Sequence, residues 1–132
     1  MHMTTPSLEA ESTIRPFRGV ALGSAENQAV EANANNMCIG VSDGSTRSFD
    51  SANHAEDGDA IRLQPGAIVR IECGGTVTVA ANVKTDADGK GVAAAGTGAT
   101  NQYVLGPALE NGASGTIIQV VWQPFVIRPA LS

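Results

Sequence analysis

Ala67-Ile68-Val69-Arg70-Ile71-Glu72-Cys73, then Gly74-Gly75, then Thr76-Val77-Thr78-Val79: apolar and polar side chains alternate on both sides of a glycine pair. A period of two is the pattern of a strand with one buried face. Gly-Gly between two such runs signals a hairpin. Its register follows from the side chains. A two-residue loop would set Cys73 against Thr76 and Ile71 against Thr78, an apolar face against a threonine face. A three-residue loop, residues 74–76, sets Cys73 against Val77 and Ile71 against Val79, with Arg70 and Glu72 together on the other face. A one-residue slip turns every side chain over, so the pattern selects the three-residue loop, with a glycine at positive φ.

Shorter runs lie on either side. Val20-Ala21-Leu22 and Ala29-Val30 flank the polar turn Ser24-Ala25-Glu26-Asn27. Met37-Cys38-Ile39-Gly40-Val41 closes at Ser42-Asp43-Gly44-Ser45, and Ala60-Ile61-Arg62-Leu63 stops at Gln64-Pro65-Gly66. Beyond the glycine pair come Val83-Lys84-Thr85, a turn over residues 86–91, Val92, and a small-residue run over 93–99. Two more strands close the domain, at residues 103–110 and 116–122. The unbroken apolar character of the second suggests burial on both faces. Short strands punctuated by Gly, Pro, Asn and Asp indicate an all-β domain, a small β-barrel or sandwich of short antiparallel strands. Residues 26–35 hold enough alanine for a turn of helix, but four Asn or Gln residues weaken it.

The ends read differently. Residues 1–18 show no periodicity, and Pro16 pushes Arg15 out of the helical region, so this piece is expected to run as an extended N-terminal arm. Residues 19–132 then form a single β-rich domain whose C-terminal tail, holding Pro124 and Pro129, is also extended. Eighteen extended residues reach at most roughly 60 Å. The arm is expected to pack on another chain, with Ile14 and Phe17 as anchors and Arg15 and Arg18 as charge contacts. Residues 1–12 are either ordered by that contact or a disordered tail. Val126-Ile127-Arg128-Pro129 echoes Thr13-Ile14-Arg15-Pro16. Ile127 and Arg128 therefore join the contact candidates, although chance accounts for the echo at least as well.

A chain of 132 residues suits one domain. Its filling is light: 15 glycines, many alanines, and aromatics only at Phe17, Phe49, Tyr103, Trp122 and Phe125. Small side chains bury little apolar area, which favours further burial against copies or a lattice. A net charge of −5 without a basic run argues against nucleic acid. No stretch approaches the roughly 20 apolar residues of a membrane span, and the N-terminus lacks the pattern of a secretory signal. Met1-His2 could precede a native start at Met3. Cys38 and Cys73 form no CxxC and no disulfide framework, and read as half-buried thiols in a reducing cytosol.

Catalysis finds no footing in the residues. His54 stands among Asp50, Glu56, Asp57 and Asp59, a polar segment without the apolar periodicity that would hold a rigid site. Asp86-x-Asp88-x-Lys90-Gly91 begins like a calcium loop, but Lys90 occupies its fifth position and Thr97 its twelfth, where oxygen ligands are needed. A turn is the better reading. No phosphate loop, dinucleotide fingerprint or nucleophile elbow occurs. No enzyme activity, cofactor or metal is expected.

Several segments resemble the capsid decoration, or cement, proteins of bacteriophage heads. They are the strand 67–73 ending in Gly74-Gly75, Val83-Lys84-Thr85-Asp86-Ala87-Asp88-Gly89-Lys90, Val104-Leu105-Gly106-Pro107-Ala108-Leu109-Glu110, and Ile117-Ile118-Gln119-Val120. Met37 to Val41 is similar to the family's earlier strand. The likeness spans about residues 19 to 122. Gly106-Pro107-Ala108 stands where the family usually has Gly-Val-Ala, and the polar insert at 42–58 is less typical of it. The resemblance implies a β-rich domain that forms a homotrimer and clamps the outer surface of a head where major capsid protein subunits meet, a virion protein assembled in the host cytoplasm. It implies no catalytic residues. The rival readings are a β-sandwich module of a phage tail or fibre binding carbohydrate or cell surface, a non-phage structural shell protein, and a small hydrolase built on His54. Sugar modules usually display aromatic platforms, and five aromatics, two of them in or just after the most buried-looking strand, argue against the first.

Overall fold

The computed structural model describes residues 8–44, 46, 54–95 and 101–128. These form eleven strands: β1 Leu8–Ala10, β2 Gly19–Leu22, β3 Gln28–Glu31, β4 Gly40–Val41, β5 Ala60–Ile61, β6 Ile68–Glu72, β7 Asn82–Thr85, β8 Gly91–Ala93, β9 Gln102–Pro107, β10 Ile117–Val121 and β11 Phe125–Ile127. The described residues hold no helix. The protein is all-β, as its alternating runs require.

The N-terminal half is one sheet in the order β4-β2-β3-β1-β5. Its two end strands then meet: Gln64 N donates to Val41 O at 2.8 Å and Asp43 N to Arg62 O at 3.1 Å. The C-terminal half has the four-stranded order β11-β9-β7-β8 and the pair β10-β6. Single bridges join these two, Ala108 to Val120 and Cys73 to Gly91. Neither half is a large flat sheet; each curls on itself, which short, twisted strands favour.

Burial follows the period of two. On β2, Val20 joins the N-terminal core with Ala10, Ile14, Ala29, Ala55 and Ile61, while Ala21 faces the other core. That second core is larger and gathers Val69, Ile71, Cys73, Val77, Val83, Leu105, Ile118 and Val120. The N-terminal sheet thus contributes to two cores, one from each face, which rigidly couples the halves.

Three expectations are corrected. Gly74-Gly75 makes no hairpin: β6 pairs antiparallel with β10, setting Ile71 against Ile118 and Val69 against Val120. The reason is area. The isoleucine and valine of β10 offer a larger apolar face than Val77 and Val79, and Val79 is left exposed. Val77 is still buried, but it exchanges backbone bonds with Gly112, and neither Gly74 nor Gly75 has positive φ. Gly74 instead serves close approach, since a Cβ there would meet the Asp86 carboxylate. Secondly, β10 is buried on one face only, with Ile118 and Val120 inside and Ile117 41% exposed. Thirdly, no helical turn forms at 26–35; that stretch carries β3 and a turn.

Residues 8–18 do not stand off as an arm. β1 lies between β3 and β5, parallel to the first and antiparallel to the second. The tail, in contrast, ends as expected in an extended segment, β11, laid antiparallel along β9.

Candidate assembly surface

The open and closed strand edges decide where this protein can extend its sheets. The outer edge of β6 is closed by a side chain and a turn: the Gln64 carboxamide donates to Arg70 O at 2.6 Å and accepts from Arg70 N at 2.7 Å, and Glu72 N donates to Phe17 O at 2.9 Å. On its outer side β8 is met at its start, where Gly74 N donates to Gly91 O at 2.9 Å, and past its end the Gln102 amide accepts from Ala95 N at 2.8 Å and donates to Ala95 O at 2.9 Å. A primary amide carries the same donor and acceptor as a peptide group, so it can finish a strand that has no further neighbour. β4 and β5 close on each other.

β11 is not closed. Among the described residues it pairs with β9 alone, and no hydrogen bond reaches its far side. Beside it Met37, Cys38, Tyr103, Val104, Pro124, Phe125 and Val126 line an apolar hollow of about 290 Å³. Met37 is 60% and Phe125 44% exposed at its rim, large apolar side chains that water alone does not favour. Arg128, at the end of the strand, is the nearest charge in sequence.

The Cys38 thiol is on the wall of this hollow yet buried, and burial pushes it up to about 11, partly offset by a contact with Thr85 Oγ1 at 3.9 Å. Burial also raises Cys73. The folded state therefore keeps the Cys38 proton where the unfolded chain, at its ordinary value of 9.0, would release it. That contribution to stability is whole below pH 9 and is lost as pH rises from 9 towards 11. Unfolding by urea should show the wild-type losing stability across this interval more steeply than Cys38→Ala. Equal slopes would exclude the thiol as the cause.

The contact candidates divide into two groups. Ile14 is fully buried in its own subunit, exchanging backbone bonds with Ala55 at 2.9 and 2.7 Å. Arg18 is enclosed as well, donating from Nη1 to Asp88 O at 3.0 Å and facing Glu72 at 3.4 Å, where Lys90 Nζ also lies within 3.5 Å. Arg15 forks onto Glu31 at 3.0 and 2.8 Å, and this hydrogen bonding holds its guanidinium above the ordinary value. Phe17 is half-buried at φ 58°, an uncommon conformation for a bulky residue. Its N–H and C=O tie Ser42 and Glu72 together across the two halves. Phe17 and Arg18 tie the subunit's two halves together, Ile14 belongs to the N-terminal core and Arg15 pairs chiefly with Glu31 of the same half, and Ile14 and Arg18 have no surface to offer a partner. Ile127 and Arg128 stand at the open edge.

His54 Nε2 lies 3.7 Å from Glu56 Oε1; Asp50 falls outside the described residues. Among those described, no group of three or more His, Cys, Asp or Glu is placed to hold a metal. Asp86 Oδ1 accepts from Asp88 N at 2.8 Å and Lys90 N at 3.0 Å, the bonds of a tight turn. Among the described residues no helix is long and apolar enough to cross a membrane.

With this architecture in view, one solved structure matches nearly end to end. It is the crystal structure of the head fiber gp8.5 N base of bacteriophage phi29. The superposition has a TM-score of 0.66 at 20% sequence identity and covers 89% of this chain and 91% of the phi29 chain. At that identity, the phi29 base and this chain share a fold. No family model matches the sequence, and no curated protein does.

Proposed function

We propose that this chain is a non-enzymatic structural protein of a bacteriophage head, bound to the outer surface of the shell as a homotrimer that stabilises contacts between major capsid protein subunits. The observation that carries the reading is the shared fold with a head fibre base over nine-tenths of both chains. The sequence resemblance to cement proteins points the same way by an independent route. Surface character agrees: a chain of net charge −5 without a basic cluster suits an exterior position better than one against packaged nucleic acid. Repeated shallow contacts from three copies would add as avidity, with no deep site required.

The fibre likeness favours one second reading, a base that carries a cell-surface or carbohydrate-binding module. Against binding by this domain itself, Phe125 is the one exposed ring among the described aromatics, and only 44% of it is open, so no flat aromatic platform is formed.

The test takes light scattering first and shells second. A mass of three copies, binding to heads that lack the protein, and a raised temperature of head disruption are expected. A strict monomer that neither binds such heads nor protects them would overturn the proposal. Trimers that ignore heads but bind on a glycan array would move the function to the fibre module.

A further inference from the structure

We infer that β11 is a self-association edge, at which two copies of this chain join antiparallel about a two-fold axis at Val126 to make one continuous sheet. The first argument is the edge itself. The far edge of β6 is closed by the Gln64 amide and by Phe17 O, β8 is met at its start by Gly74 N, and β4 and β5 close on each other. Among the described residues, β11 keeps an open edge flanked by exposed Phe125 and Met37. A strand edge asks for another strand, because only an extended backbone supplies donors and acceptors at the right spacing. A second copy can supply it through its own β11.

The second argument is that the segment is complementary to itself. An antiparallel register centred on Val126 sets Val126 against Val126, Phe125 against Ile127, and Arg128 against Pro124 of the second copy. Each apolar side chain of the strand meets an apolar one. Residues directly opposite share a face, so Ile127 of the second copy lands beside Phe125, at the rim of the apolar hollow. Charge is arranged to permit this. The residues lining the hollow include no carboxylate, although the chain as a whole carries −5. The two Arg128 side chains end four residues apart along the strands, roughly 13 Å, beyond a Debye length of about 8 Å at physiological salt. Pro124 and Pro129 bracket the segment. Lacking N–H groups, they limit pairing to a few residues and keep the contact from growing into a longer ladder.

An isologous contact of this kind uses one patch on both partners and closes after two copies. The sheet order then runs β8-β7-β9-β11 and, through the axis, on into β11-β9-β7-β8 of the second copy. The inference stands apart from the head-surface reading, since the contact joins two copies whether or not a shell is met. In a three-copy unit each subunit would keep one such edge, linking units in pairs.

Sedimentation equilibrium and a crosslinking scan test it together. The mass of the wild-type protein should double as concentration rises towards about 1 mM, the weak end of specific association. Phe125→Glu should weaken the doubling at least tenfold while circular dichroism shows an intact fold, as expected of an edge position. Phe125→Lys combined with Ile127→Glu should restore it, because the register puts the two new charges of opposite sign face to face. Val126→Cys should give a covalent dimer under copper–phenanthroline oxidation, its Cβ atoms lying about 4.5–5.5 Å apart across the axis. Gln123→Cys should not. A mass that Phe125→Glu leaves unchanged, or crosslinking that favours residue 123 over 126, would overturn the inference.

Discussion

Gly106→Ala should cost at least about 4 kcal/mol, a large share of the roughly 5–15 kcal/mol by which a domain is stable. Gly106 lies where β9 changes register on both sides. Towards β7, Val83 faces Gly106 but Lys84 faces Val104, so β9 holds an extra residue. Towards the other neighbour, Ala108 faces Val120 while Val104 faces Phe125, so that strand holds the extra residue. The chain takes up both shifts at Gly106, with φ at 147°. A Cβ added there would drive into the carbonyl oxygen of Val121 and crowd Gln123 N at 3.0 Å. Both obstacles are backbone, so nothing can swing aside. Gly66→Ala is the control. Gly66 also has positive φ, at 93°, but no atom lies within 4 Å of where its Cβ would be. It should lose only about 1 kcal/mol, the cost of the backbone conformation alone. Urea midpoints of the two variants decide the matter: equal losses would show that φ, and no collision, sets the need for glycine.

Ile14→Ala should lose about 2–5 kcal/mol, the range for truncating a fully enclosed aliphatic side chain. Ile14 packs with Ala10, Val20, Ala29, Ala55 and Ile61, mostly small partners that cannot collapse far into the space left behind. The same geometry gives a sharper result for deletion of residues 1–18. β1 sits between β3 and β5, so its removal strips them of their shared neighbour and opens the core beneath. The truncated chain should fail to fold, seen as lost circular dichroism and rapid proteolysis. A cooperatively folded 19–132 would restore the view of residues 1–18 as a detachable arm.

How much of this was legible beforehand differs from element to element. The turn at 24–27 and the strands beside it follow from local composition, and β2 and β3 pair around it as expected, Ala21 facing Val30. The turn at 86–90 was equally readable, because an Asp-rich loop ending in Gly satisfies its own backbone through Asp86. The register argument for the glycine pair was sound about faces and mistaken about partners. Ile71 and Cys73 are indeed on the buried side with Arg70 exposed, but the strand opposite them lies more than forty residues further along the chain. Alternation tells a strand which side is inward; it is silent about which apolar face will come to meet it.

The candidate surface was less legible still. Gln64 carries no local mark of its role, since an amide closes a strand edge only once the fold has brought that edge within reach. The two echoing segments make the distinction clearest. In both, a β-branched residue and an arginine precede a proline, and Ile14 and Ile127 do lie in strand pairing, as the stiffness of the branched side chain favours, although the chain turns at Pro16 and Phe17. One of them became the buried staple of the N-terminal core, with Ile14 wholly enclosed. The other became the open edge at Ile127 and Arg128. Strand propensity, turn positions and facing are decided by interactions a few residues long. Which strand is interior and which is an edge depends on how many neighbours compete for each side, and only the assembled sheets decide that.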